Sequence, residues 1–158
     1  MDNVSAKVSA KVRTFIKENV SHHEYFIHEW TFYLLKGLSN TKETNINIHV
    51  PEILEYDKEN KILTMQKVDG DNLSNIYGED INNVPIKLVA IIRQMISILN
   101  YYLVEYVDIT GYNFMLDKNE NLWIIDFEHV KCRDINDTID PFVMQFITGA
   151  ISWNPEFE

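Results

Sequence analysis

The chain has a single cysteine, Cys132, in 158 residues. A lone cysteine excludes a disulfide framework and a thiolate zinc site, and it fits a reducing, intracellular setting. Lys131 and Arg133 flank it, but no catalytic base accompanies it, so it reads as incidental. Cations are scarce too: 14 Lys and Arg against 24 Asp and Glu leave a formal charge of −10. Nucleic acid is therefore not an expected partner, because counterion release needs clustered Lys and Arg. The same field repels free nucleotides at long range, so a nucleotide site would need Mg²⁺ or a local lysine to offset it. No apolar run is long enough to span a bilayer, and Met1-Asp2-Asn3-Val4 lacks the basic-then-apolar pattern of a secretion signal. The expectation is a cytoplasmic protein without membrane contact. No Gly/Ser-rich or Pro-rich linker divides the sequence. The echo of Val4-Ser5-Ala6-Lys7 in Val8-Ser9-Ala10-Lys11 is too short to signal a repeat fold.

What is present fits one domain, residues 1–158, with enough hydrophobic residues, 46%, to bury a core. Residues 24–37 alternate aromatic and aliphatic positions with Glu24, His28, Glu29 and Lys36, the pattern of an amphipathic helix ended by Gly37 and Ser39-Asn40. Trp30, Phe32 and Tyr33 are expected in the core. His22, His23 and His28 lack partners with zinc-ligand spacing and read as solvated. After a polar loop at 40–46, two apolar runs, Val50–Tyr56 and Lys61–Val68, flank Asp57-Lys58-Glu59-Asn60 as a hairpin. Asp80 to Asn83 reads as a loop and helix cap, and Pro85 then opens a mostly apolar helix from Ile86 to Val104. A second hairpin pairs Phe114–Leu116 with Leu122–Ile125. Asp140-Pro141 opens a last helical segment toward Ile151, with Gly149 near its end. The order of elements is α+β.

Three polar residues stand out. Tyr106-Val107-Asp108-Ile109-Thr110-Gly111-Tyr112-Asn113 is a loop leading into the second hairpin, and Asp126 follows that hairpin's apolar strand. Singly, Asp108 and Asn113 suit loop positions that cap a hairpin through hydrogen bonds to backbone. Asp126, between Ile124-Ile125 and Phe127, is costly to bury without a metal, a cation or water beside it. Together the three offer one base and two hard oxygen ligands, the set that phosphoryl transfer asks for.

These positions resemble the protein-kinase-like superfamily. Tyr106, Val107, Asp108 and Asn113 are similar to that family's catalytic loop, and Asp126-Phe127-Glu128 resembles its metal-binding Asp-Phe-Gly, in the Asp-Phe-Glu form of the aminoglycoside- and choline-kinase-like branches. Met65-Gln66-Lys67-Val68-Asp69-Gly70-Asp71-Asn72-Leu73 resembles the hinge between lobes, with Met65 as gatekeeper. Glu29 resembles the glutamate of the regulatory helix. Val8-Ser9-Ala10-Lys11 resembles the strand bearing the phosphate-contacting lysine, with Lys7 in the same local pattern as the alternative.

The resemblance implies a reduced N-lobe over about residues 1–68 and a truncated, mainly helical C-lobe over 69–158. No Gly-x-Gly-x-x-Gly loop and no Ala-Pro-Glu motif are present. The phosphate lid and the peptide platform are therefore expected to be absent, as in some viral or minimal kinase-like proteins. The implied ligands are ATP and Mg²⁺. Asp108 would be the base and Asn113 and Asp126 the metal ligands. Lys11, paired with Glu29, would meet the phosphates; backbone at Gln66 and Val68 would hold the adenine, and Asn72 the ribose. The acceptor would be a protein or small-molecule hydroxyl. The other function carried forward is a pseudokinase-type module that pairs with another protein, a host kinase for example, or with itself through an exposed N-lobe sheet. A metal-dependent hydrolase is disfavoured, since no His supplements the carboxylates.

Overall fold

A computed structural model describes residues 13–39 and 48–157. Lys7 and Lys11, with the strand expected to carry them, and the loop expected at 40–46 lie outside the described residues. The first strand described is β1 (Thr14–Lys17), a short β-branched and aromatic run. The expected first hairpin forms as β3 (Ile53–Asp57) and β4 (Ile62–Gln66). Its turn is fastened by Asp57, whose Oδ1 accepts from the backbone of Glu59 and Asn60, both at 3.1 Å. These three strands make an antiparallel sheet in the order β1-β4-β3, in a register that sets Lys17 beside Leu63.

Between β1 and that hairpin runs α1 (His22–Ser39). Ser21 caps it, its Oγ accepting from the backbone N–H of Glu24 at 3.1 Å. The buried stripe of α1 is Glu24, Ile27, His28, Thr31 and Leu35, three of them polar. This reverses two expectations. His28 is buried instead of solvated, and Trp30 and Tyr33 are exposed instead of core. A stripe that rich in polar residues draws a hydropathy reading to the opposite face. Val20, Leu63 and Met65 form a small separate core under this sheet, closed by Tyr25 stacked on Tyr56 at 4.3 Å.

The larger core lies beneath a second sheet. Its strands are β2 (Ile48–His49), β5 (Gly70–Asn72), β7 (Phe114–Asp117) and β8 (Leu122–Ile124), in the order β2-β8-β7-β5. The expected second hairpin is β7-β8. Gly70 is required where β5 crosses β7, because a Cβ there would stand 2.0 Å from the Leu116 carbonyl oxygen. A short α2 (Leu73–Tyr77) and a 3-10 turn at Ile81–Asn83 capped by Asp80 lead to α3 (Ile86–Tyr101). That helix buries Leu88, Val89, Ile92, Met95, Ile96 and Leu99, as its continuous hydropathy requires. It stops short of Val104 because Leu103 takes φ 64° and turns the chain into β6 (Val104–Glu105), which pairs with β9 (Lys131–Cys132). α4 (Pro141–Ile147), capped by Asp140, ends earlier than expected, and Gly149 at φ 118° takes the chain out of it. No helix among the described residues is long and apolar enough to cross a membrane.

Candidate active site

The loop from Tyr106 to Asn113 is built inward from the core. Tyr106, Ile109 and Thr110 are buried and anchor it, leaving Asp108 half-exposed between them. Gly111 presses on the start of α2: its carbonyl accepts from the Ser74 backbone at 3.2 Å, and a Cβ would stand 2.3 Å from the Ser74 Oγ. Asn113 Nδ2 donates to the Asp108 carbonyl at 2.9 Å, and the Ile125 N–H donates to the Asn113 carbonyl at 3.1 Å. The second bond fastens the loop to the strand end that carries Asp126, so the three residues singled out in sequence converge. Burial pushes the Asp108 carboxyl above the ordinary aspartate range. The Asn113 carboxamide opposes this in part, and the nearby Asp126 charge reinforces it.

Asp126 Oδ1 accepts from the Glu128 backbone at 3.0 Å and meets Lys17 Nζ at 3.1 Å. Lys17 also forms an ion pair with Glu24, which is only 4% exposed. Burial acts to lower the Lys17 pKa, but the Glu24 hydrogen bond and the Asp126 charge outweigh it and the net direction is upward, so the amine is held charged. Glu24 is itself pushed upward, because its burial exceeds what Lys17 returns. The lysine has two anionic partners, Glu24 and Asp126, which keep it charged.

Phe127, 1% exposed, joins the two sheets. It lies between the buried Tyr106 ring, edge-on at 6.0 Å, and His28 at 4.7 Å. His28 Nε2 donates to the Pro51 carbonyl at 2.7 Å, and burial lowers its pKa to about 4, so the ring is neutral. Between the sheets opens a cavity of about 310 Å³ whose walls include Phe15, Met65, Val68, Met115 and Ile125, with Lys17 and Asp126 among its lining residues. The backbone N–H and C=O of Val68 make no hydrogen bond among the described residues.

The structure redistributes the expected site. Met65, Gln66 and Val68, expected at the adenine, line the cavity. The Gln66 N–H is already given to the Glu52 carbonyl at 2.8 Å. Asn72, expected at a ribose, caps α2 by accepting from the Asn75 N–H at 2.8 Å and is not among the residues lining the cavity. Glu29 lies away from the cavity, against the Tyr25 hydroxyl in a groove with Tyr33, Glu52 and Glu55. Lys11 lies outside the described residues; among these the lysine–glutamate pair beside Asp126 is Lys17 with Glu24. Two signals pointed to it. Thr14-Phe15-Ile16-Lys17 is the first apolar strand run, and Ser21-x-x-Glu24 has the form of a capping box whose glutamate is here diverted to a lysine seven residues back. His28 gave no signal beyond its spacing one turn after Glu24.

With this geometry in place, the family model of the RIO domain matches residues 1–138. The chain belongs to the RIO domain family. No curated protein matches it significantly in sequence. Among solved structures, the kinase PK-1 of Cydia pomonella granulovirus superimposes with a TM-score of 0.57 at 14% identity, over 83% of this chain and 50% of that one. The RIO chain therefore has a kinase-like fold, a small sheet with α1 beside a mixed body of the second sheet, α3 and α4 in place of the mainly helical one expected, and spans about half the length of that viral kinase. Rv3197 of Mycobacterium tuberculosis, solved with erythromycin, is 16% identical with a TM-score of 0.44, over 69% of this chain and 27% of that one.

Proposed function

We propose that the chain is a Mg·ATP-dependent phosphotransferase acting on a hydroxyl acceptor. The observation that carries this reading is the Lys17 ammonium, held charged between Glu24 and Asp126 beside an apolar cavity of about 310 Å³. An aromatic base fits those walls, with the unpaired backbone of Val68 available to its polar edge. Lys17 then meets the phosphates as the local cation that so acidic a chain needs. The donor set suits Mg²⁺: Asn113 Oδ1 and Asp126 Oδ2 accept no hydrogen bond among the described residues, and this ion takes one or two protein oxygens with phosphate and water. Bound Mg²⁺ would supply charge neutralisation at the phosphates. Asp108 takes the proton of the acceptor hydroxyl as its oxygen bonds to the γ-phosphorus and the bond to the ADP oxygen breaks; a carboxyl raised by burial is suited to that exchange.

The test is a melting curve with and without ATP and Mg²⁺, followed by phosphate transfer to a panel of protein and small-molecule acceptors. Nucleotide should raise the melting temperature, and Lys17→Met should abolish both the shift and transfer. No shift at millimolar Mg·ATP would end the reading. The pseudokinase-type module is kept as a second reading because, among the described residues, β1 pairs on one edge only and exposes Phe15 and Ile16. Solution mass separates the two: a strict monomer with turnover counts against the module.

A further inference from the structure

We propose that Asn154 is a positioning residue for Asp108, a clasp supplied by the segment beyond the RIO match, which ends at residue 138. This rests on the phosphotransferase reading. Asn154 is 3% exposed, and it bonds to the residues on either side of Asp108. Its Nδ2 donates to the Val107 carbonyl at 2.7 Å, and its backbone N–H donates to the Ile109 carbonyl at 2.9 Å. The carbonyls of the two residues that flank Asp108 are thus tied to one buried residue distant in sequence. The amide orientation is fixed by its partners, because Oδ1 accepts from the Glu156 N–H at 3.1 Å and so Nδ2 must be the end facing Val107.

The rest of the segment holds Asn154 in place. Trp153, 4% exposed, stacks on the buried Phe114 at 6.4 Å and 15°. Arg93 donates to the carbonyls of Phe146, at 2.8 Å, and Ala150, at 3.3 Å, fixing the exit from α4. The Phe157 N–H donates to the Asn154 carbonyl at 3.1 Å, which sets the Phe157 ring against His129 at 5.0 Å. A loop carboxylate that must meet an acceptor hydroxyl in line gains from such bracing, since a displacement of about 1 Å can cost about 100-fold in rate.

Asn154→Asp keeps the shape and the backbone bond but puts an oxygen where Nδ2 donated. It should lower kcat by about 10- to 100-fold while KM for ATP and the nucleotide-induced melting shift stay at wild-type values. Amide hydrogen exchange across residues 106–113 should accelerate. Asn154→Ser serves if the first variant does not fold. Val143→Ala, which opens a cavity in α4, is the control: it should lower the melting temperature and leave kcat unchanged. Unchanged kcat in folded Asn154 variants overturns the proposal, and so does a kcat loss that Val143→Ala reproduces at equal destabilisation. If the wild-type protein neither binds nucleotide nor turns over, the phosphotransferase reading fails by itself. The clasp is then judged on exchange, and unaltered exchange at 106–113 overturns it.

Discussion

Between Val104 and Val130, the side chains of Tyr106, Ile109, Phe114, Ile124 and Phe127 are each at most 1% exposed, whereas β1 on the other side of the cavity leaves Phe15 50% and Ile16 60% exposed. The first region is braced from every side, by β9, α2, the β7-β8 hairpin and the segment at Trp153-Asn154. The second has a core of three buried residues of its own; at the cavity it meets the first through Lys17 to Asp126, His28 to Phe127, and the His23 ring to the Val130 carbonyl at 2.9 Å, while Ile27 and Leu35 of α1 pack into the larger core. One region holds Asp108, Asn113 and Asp126, the proposed base and metal ligands, and the other holds Lys17 and one cavity wall. Cleft geometry therefore depends on a short set of bridging side chains, and these are where the two regions can be uncoupled.

Phe127→Ala should be the most damaging change, because it removes a fully buried side chain that meets both Tyr106 and His28. Truncating a fully buried Phe costs about 3–5 kcal/mol, and chemical denaturation should show a fall of that size. A loss under about 1 kcal/mol would mean that the regions do not depend on Phe127 for their docking. Asp126→Asn leaves the packing intact and tests the chemistry. On the proposed function it should reduce phosphate transfer by about 10²- to 10³-fold, the usual cost of removing one preorganised charge, with a melting temperature close to wild type. Transfer at the wild-type rate would remove Asp126 from the mechanism.

The same contrast explains how much could be read from the sequence. The braced region was legible: Asp108, Asn113 and Asp126 sit at fixed intervals on an apolar hairpin, and local hydrogen bonds such as Asn113 to the Asp108 carbonyl make those intervals meaningful. On the other side the pair on which the proposed function rests was not read from the sequence. Family spacing pointed to Lys11 and Glu29, while a tight connection, with Asn19 at φ 58° and the Val20 N–H given to the Lys61 carbonyl at 2.9 Å, brings Lys17 to Glu24. Burial of Glu24, His28 and Thr31 on one face of α1 hid that face from any hydropathy pattern. Asn154 lay beyond reach, because a polar residue distant in sequence gives no local sign of the carbonyls it will meet.

His28 allows the bridge to be loosened by pH alone. Its pKa is about 4 in the folded protein against an ordinary 6.5; burial is the main cause, the Pro51 carbonyl opposes it, and the charges of Lys17 and Asp126 act in opposite senses. A folded pKa below the unfolded one means that the unfolded chain binds the extra proton. Stability is then full above about pH 6.5 and is lost as pH falls toward 4, by roughly 3 kcal/mol in all. Unfolding free energies measured across that window should carry this slope, and His28→Gln, a neutral residue able to donate to Pro51, should flatten it. An equal slope in the variant would assign the acid sensitivity to other groups.

The smallest effect expected comes from the other lysine–carboxylate contact joining β5 to β7. Lys118 Nζ lies 3.2 Å from Asp69 Oδ2, close to the 3.1 Å between Lys17 and Asp126, but its side chain is 75% exposed and that of Asp69 60%. Water screens such a pair and each long side chain loses freedom to form it, so its worth is about 0–1 kcal/mol. The junction has other supports: the Lys118 N–H donates to the Asp69 carbonyl at 3.2 Å, and Gly70 lets the strands approach. Lys118→Ala should thus change stability by less than about 1 kcal/mol and leave nucleotide binding untouched, while Lys17→Met abolishes binding. A double-mutant cycle on Lys118 and Asp69 sharpens the point. A coupling above about 1 kcal/mol would show that this exposed pair holds the strands as firmly as a buried one, and that separation of charges, not their burial, ranks the ion pairs of this fold.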